Sequence, residues 1–188
     1  MNKRDLFCGA VFKLRGVLMI PLVALLFACT RWEWEYEPGI WSLGLAAFLP
    51  ALLLRVWAQR HLKYRLRDRP GLSTTGPYAF VRNPVYLANT LILTGLCVLS
   101  ELLWMVPVVL VWTALVYCLA ARFEEVRLAK RFGDAYARYC DRVPAWFPGI
   151  RCNSIAALAP PARWGRAVLA EWQCPLLLAV PIVKECLN

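Results

Sequence analysis

The chain has 188 residues, of which 60% are hydrophobic and 18% charged, and its mean hydropathy of +0.50 excludes a soluble globular domain of ordinary composition. That length allows one domain with a small appendage. Lys and Arg number 22 against 12 Asp and Glu, and the resulting +10 calls for a polyanionic partner or an asymmetric membrane topology.

A bilayer core of about 30 Å needs roughly 20 helical residues, and four apolar stretches approach that length. The first, Gly16 to Thr30, is short unless Lys13 and Arg15 snorkel and its helix starts near Leu6. It runs into Arg31-Trp32-Glu33-Trp34-Glu35 without a small-x-small cleavage site, so it reads as a retained span and not a signal peptide. The second span is Ile40 to Leu54, continuing through Arg55 to Ala58; the third is Pro84 to Ser100; the fourth is Leu102 to Ala121. Glu101 alone separates the last two, which predicts a tight helical hairpin.

Placing Lys3, Arg4, Lys13 and Arg15 inside puts the 31–39 loop and the Glu101 turn outside, and the 55–82 and 122–142 segments inside. Arg31 is then the one outer basic residue, while Glu33, Glu35, Glu37 and Glu101 are all outer. The positive-inside asymmetry thus accounts for the net charge without a nucleic-acid partner. Trp32, Trp34, Trp41 and Trp104 fall near the outer interface, where amphipathic rings anchor.

The fold class predicted is an all-α integral membrane protein of four to five transmembrane helices, with a pocket on the cytoplasmic side. Residues 1–148 form the membrane-embedded domain and 149–188 a C-terminal interfacial helix or lid, because Pro160-Pro161, Pro175 and Pro181 interrupt helix there. The longest uncharged part of that tail, Trp172 to Val183, is short for a span, although a fifth, tilted one fits the pattern. The cysteines at 8, 29, 97, 118, 140, 152, 174 and 186 form no CxxC pair and read as small buried hydrophobes, not metal ligands or disulfides.

Two polar segments on the inner side carry the candidate chemistry. In Gly76-Pro77-Tyr78-Ala79-Phe80-Val81-Arg82-Asn83-Pro84-Val85-Tyr86, Gly76-Pro77 signals a turn, Pro84 suits the first helical position and Asn83 its N-cap. A helix start beside Arg82 favours a carboxylate or phosphate; the same residues also suit the plain start of a membrane helix with a positive-inside charge. Beneath the fourth span lies Arg122-Phe123-Glu124-Glu125-Val126-Arg127. Two carboxylates there are costly unless something positive meets them, although Glu124 to Arg127 and Glu125 to Arg122 also have the spacing of salt bridges along a solvated helix. Phe132, Tyr136 and Tyr139 share a helix face that is either an aromatic wall or an interfacial surface. The lone His61 reads as part of the basic run Arg60 to Arg65.

Taken in order, Gly76-Pro77-Tyr78, Val81-Arg82-Asn83-Pro84-Val85-Tyr86, an apolar hairpin, Glu124-Glu125, Phe132-Gly133, Tyr136, Tyr139 and Val143-Pro144 resemble the isoprenylcysteine carboxyl methyltransferase and phospholipid methyltransferase family, over residues 50–148. The resemblance implies a helical membrane enzyme that uses S-adenosylmethionine and admits lipophilic substrates from the bilayer. It implies Gly76, Pro77, Tyr78, Arg82, Asn83, Pro84, Tyr86, Glu124 and Glu125 as cofactor-binding residues, with Arg82 and Glu125 catalytic and no metal. Asn83 stands where the isoprenylcysteine branch usually has His, so the methyl acceptor is open among an isoprenylcysteine carboxylate, a phospholipid amine and a lipophilic thiol. Arg82 would pair with the cofactor carboxylate and a glutamate with its ammonium; with an amine acceptor the second glutamate is the candidate base. The competing readings are an NADPH-dependent membrane reductase of steroid 5α-reductase type and a noncatalytic lipid-binding protein of the same fold.

Overall fold

Proline and glycine punctuation divides the chain into helices, and a computed structural model describes residues 3–29, 38–68, 71–147, 178–179 and 181–183. Among these residues every regular element is helical: α1 (Lys3–Leu14), α2 (Ile20–Ala28), α3 (Pro38–Asp68), α4 (Pro84–Leu99), α5 (Met105–Phe132) and α6 (Asp134–Arg142). Short 3-10 turns cover Val17–Met19 and Gly76–Ala79.

Two helices are long and apolar enough to cross a membrane, Gly39–Leu62 within α3 and Met105–Phe132, and a third crossing results if the bent pair α1 and α2 is one span. The outward faces of α3 and α5 fit that role: Leu43, Leu53, Val111 and Leu115 are each 60% or more exposed, an apolar surface suited to lipid and costly in water. At 1.5 Å per residue the 31 residues of α3 reach about 46 Å and the 28 of α5 about 42 Å, well beyond a hydrocarbon core of about 30 Å. Both therefore carry their polar C-terminal turns out of the apolar layer.

The first predicted span is not straight. Its two halves, Arg4–Leu14 and Val17–Leu26, meet at 71°. At the turn Arg15-Gly16 the Arg15 guanidinium donates to the Phe12 carbonyl and lies 4.1 Å over the Phe12 ring. Pro21 then restarts the helix, where its missing N–H costs nothing. Phe12 packs on Phe123 of α5, centroids 5.4 Å apart, and Trp112 of α5 donates its indole N–H to the Leu18 carbonyl at 2.9 Å.

Helix α4 has the predicted boundaries but at 16 residues reaches only about 24 Å. It lies against α3, where Gly95 permits the close approach: a Cβ there would stand 3.1 Å from the Phe48 Cβ and backbone N and 3.2 Å from the Gly44 carbonyl. Phe48, Leu96, Leu99, Leu102, Met105 and Val109 fill the core between α3, α4 and α5. Thr90 and Thr94 return their hydroxyls to the carbonyls of Tyr86 and Thr90, at 3.1 and 2.9 Å, so neither is left unsatisfied among apolar neighbours.

The predicted hairpin is present, with Glu101 at its tip in a positive-φ conformation (φ 58°). Glu101 is buried at that tip: it is 7% exposed and accepts a hydrogen bond from Trp41 Nε1 at 3.2 Å. A turn this tight folds its one acidic side chain back toward the start of α3, where Trp41 serves as its donor. The five described cysteines, 8, 29, 97, 118 and 140, are free thiols; Cys97 is buried as predicted, whereas Cys118 is exposed. Trp32, Trp34, Cys152, Cys174, Cys186 and most of the C-terminal segment lie outside the described residues, although Leu178 packs against the core.

Candidate functional site

Because α4 and α5 are antiparallel, the first turn of α4 and the stretch of α5 just past its apolar part come to the same end of the bundle. Arg82 and Glu125, 43 residues apart in sequence, meet there: Arg82 Nη1 lies 3.3 Å from Glu125 Oε1. Glu124 points to the neighbouring element and accepts the Tyr86 hydroxyl at 3.1 Å. Neither glutamate forms the within-helix pairing to Arg122 or Arg127 that the spacing also allowed. Arg127 instead lies over the Phe123 ring, 5.9 Å from its centroid.

Helix α6 closes the cluster from the side. Arg82 Nη1 also donates to Cys140 Sγ at 2.7 Å, and the Tyr136 and Tyr139 rings, 6.1 Å apart and both buried, stand beside it. Tyr139 donates its hydroxyl to the Tyr78 carbonyl at 2.7 Å, and the Arg82 backbone N–H donates to the Pro144 carbonyl at 2.9 Å. Asn83 sits at the N-cap position of α4 as predicted, yet makes no side-chain cap. Its amide donates to the Ala145 carbonyl at 3.2 Å, so Asn83 fastens the chain after α6 to the start of α4. That is the physical role of Val143-Pro144 in the motif.

Gly76 is needed where it stands. Its φ of +63° is costly for residues with a Cβ, and a Cβ would lie 2.7 Å from His61 Nδ1. His61, read from sequence as one more basic residue, has its ring against Gly76 and its Nε2 3.0 Å from Thr75 Oγ1. Pro77 and Tyr78 are buried in the 3-10 turn that follows, and buried Pro84 opens α4.

Burial alone would lower the proton affinity of Arg82, but the Glu125 carboxylate, with Cys140, outweighs it, and the guanidinium is held charged. Burial pushes the phenols of Tyr78, Tyr136 and Tyr139 well above their ordinary range; the charge of Glu124 adds to this at Tyr78, while Arg82 opposes it at Tyr139. The site is thus a charged pair with a neutral aromatic rim. The Nε of Arg82 is buried and has no hydrogen-bond partner, an unsatisfied donor of the kind a bound anion completes.

Sequence reasoning missed Cys140, which shares a helix face with Tyr136 four residues earlier. It also missed the interior polar pairing of Arg55 with Asn89, for which a polar residue inside an apolar span was the available signal. Among the described residues no three His, Cys, Asp or Glu side chains cluster as a metal site.

Among the described residues, an all-helical bundle with two to three apolar stretches long enough to cross a membrane defines an integral membrane protein. The family described as phospholipid methyltransferase matches residues 41–135, and the chain belongs to that family, one of membrane methyltransferases. It is 33% identical over 137 residues to the cobalt-zinc-cadmium resistance protein CzcN of Cupriavidus metallidurans, covering 72% of this chain and 62% of that protein. It is 27% identical over 137 residues to the nickel-cobalt-cadmium resistance protein NccN of Alcaligenes xylosoxydans xylosoxydans, covering 72% of this chain and 63% of that protein. The chain therefore matches less than two thirds of the length of either relative. No solved structure matches it.

Proposed function

We propose that the protein transfers a methyl group from S-adenosylmethionine to a lipophilic acceptor that reaches the site from the bilayer. The observation that carries this reading is the Arg82–Glu125 pair, 3.3 Å apart on two different elements, beside an unpartnered Arg82 Nε. A ligand with one carboxylate and one ammonium on the same carbon complements such a pair. Arg82 would hold the carboxylate and Glu125 the ammonium, and Glu124, fixed by Tyr86, would close the site.

When bound, the cofactor supplies an electrophilic methyl group on a sulfonium sulfur. What this chain contributes is position and dryness: Gly76, Pro77 and Tyr78 form the turn that Tyr139 clamps, Asn83 and Pro84 fix where Arg82 stands before the helix, and the neutral tyrosines keep water from the reacting atoms. A carboxylate or thiolate acceptor needs no base at the attack step, and with an amine acceptor the second glutamate, Glu124, is the candidate base. On the positive-inside asymmetry the site and the N-terminus face the cytoplasm, with the bent α1–α2 pair, α3, α4 and α5 as four spans.

Calorimetric titration of the detergent-solubilised protein with S-adenosylhomocysteine, beside NADPH, tests the reading. Binding of the first and not the second is expected. Binding of NADPH alone would assign a reductase, and binding of neither a noncatalytic protein.

A further inference from the structure

Six cations near the end of the bundle take no part in the Arg82–Glu125 site. Arg122, Arg127, Lys130 and Arg131 on the last turns of α5, and Arg138 and Arg142 on α6, are all exposed. Among the described residues none of them is in an ion pair: Glu125 is engaged by Arg82 and Glu124 by Tyr86, while Arg127 and Arg131 lie over the Phe123 and Phe132 rings, 5.9 and 5.3 Å from the centroids. They outnumber the exposed carboxylates of the same stretch, Asp134 and Asp141. Like charges so crowded repel one another and call for an anion from outside the chain.

The fold keeps these cations close to the end of the apolar layer. Counted at 1.5 Å per residue, Arg122 to Arg131 occupy about the first 15 Å past Ala121, the last residue of the fourth apolar stretch. That is a headgroup layer of about 6 Å plus the length of side chains able to snorkel back to it. The chain then turns at Gly133, whose φ of +49° suits a residue without a Cβ, so the helix does not continue into water. The buried face of α6, Tyr136, Tyr139 and Val143, packs with Leu72, Leu128 and Phe132. The bonds from Tyr139 to the Tyr78 carbonyl and from the Arg82 N–H to the Pro144 carbonyl return α6 to the start of α4, and Arg138 and Arg142 are left on its outer side. Two apolar side chains stand exposed along the same path, Val126 at 41% and Phe147 at 85%. Cations with apolar side chains among them make a surface for the boundary of hydrocarbon and headgroups; free phosphate makes use of the cations alone.

We propose that the outer face of the α5–α6 elbow docks the anionic headgroups of phospholipids in the leaflet it meets, with Phe147 among their acyl chains. A zwitterionic headgroup brings its own cation and neutralises nothing, so acidic lipids are preferred there. The contact does not depend on methyl transfer: it uses the face of α6 opposite Tyr136 and Tyr139, and would hold in a noncatalytic protein of this fold.

The test is calorimetric titration of the full chain in an uncharged detergent with dihexanoyl-phosphatidylglycerol, dihexanoyl-phosphatidylcholine and inorganic phosphate as probes. Wild type is compared with two double variants of the elbow, Lys130→Gln with Arg131→Gln and Arg138→Gln with Arg142→Gln. A third, Arg4→Gln with Lys13→Gln, removes the same charge from exposed positions on α1. Wild type is expected to bind the glycerol lipid at least about tenfold more tightly than the choline lipid or phosphate, and less tightly as salt is raised. One cation near an anionic lipid surface counts for about fivefold, so each elbow variant should weaken that binding by about fivefold or more, and the α1 variant by less than about twofold. If one elbow variant fails to fold, the other decides. Equal binding of the two lipids, or no binding of either, would overturn the proposal. So would phosphate binding as tight as that of the glycerol lipid, which would make the elbow a free-anion site. An elbow variant that folds and binds as wild type does, or an equal loss in the α1 variant, would overturn the location.

Discussion

Replacing Arg82 by alanine removes, among the described residues, the guanidinium that pairs with Glu125. At 3.3 Å and an effective dielectric of about 20, the gross Coulomb attraction in the pair is about 5 kcal/mol. Most of it is offset by desolvation, since the side chains retain only 19% and 33% of their exposure. What a ligand carboxylate loses is therefore nearer the 1.5–3 kcal/mol of a hydrogen bond to a charged group, about tenfold to 150-fold in affinity. Titration of Arg82→Ala with S-adenosylhomocysteine should show that loss, and Arg82→Lys, which keeps the charge without the fork, a smaller one. Arg127→Ala is the matched control: Arg127 is exposed and touches only the Phe123 ring, so its removal should change binding by less than about twofold. Equal, mild effects at both positions in folded proteins would refute the placement of the ligand carboxylate at Arg82.

Gly76→Ala should destabilise the fold by about 1–2 kcal/mol from its positive φ alone, and more if the His61 ring cannot move from a Cβ at 2.7 Å; an unchanged thermal midpoint would contradict the reading of the turn. Gly95→Val forces α3 and α4 apart at Phe48 and should cost about 1–3 kcal/mol by denaturant titration. Alkaline pH provides a third check. The folded-state pKa values of Tyr78, Tyr136 and Tyr139 are raised above the ordinary 10.0, so the stability these phenols contribute is complete below that pH. It is lost as pH rises from there toward the folded values, because the unfolded chain ionises first. Thermal midpoints should be flat with respect to these groups below pH 10.0 and fall above it, and Tyr139→Phe should lower the neutral-pH midpoint while making that alkaline fall shallower.

Much of the site was legible because its residues are fixed by local chemistry. Gly76-Pro77 could only be a turn, Pro84 only a helix start, and the antiparallel hairpin implied by the lone Glu101 necessarily returns Glu124 and Glu125 to the level of Arg82. What the sequence hid was lateral. A hydropathy window sums over residues and cannot register a 71° bend, so the packing of Arg15 over the Phe12 ring was not visible. Asn83 had the cap position, but its amide N–H donates to the Ala145 carbonyl, 62 residues away. Glu101 was read as the charge that separates two spans, and its burial and its donor, Trp41 of another helix, were not visible. His61 was hidden among basic neighbours, and its role depends on the turn at Gly76 that packs against it. Each of these contacts joins elements far apart in the chain, and single-sequence periodicity carries no information about such partners.

The central claim is that Arg82 and Glu125 together hold a methyl donor beside a lipid-accessible acceptor. Incubating the purified protein with methyl-labelled S-adenosylmethionine and extracted membrane lipids, then counting label in the organic phase, tests it most directly. Label transfer by wild type is expected, falling by at least about tenfold in both Arg82→Ala and Glu125→Gln. Absence of organic-phase label from a folded wild-type protein, or equal label from wild type and both variants, would contradict it.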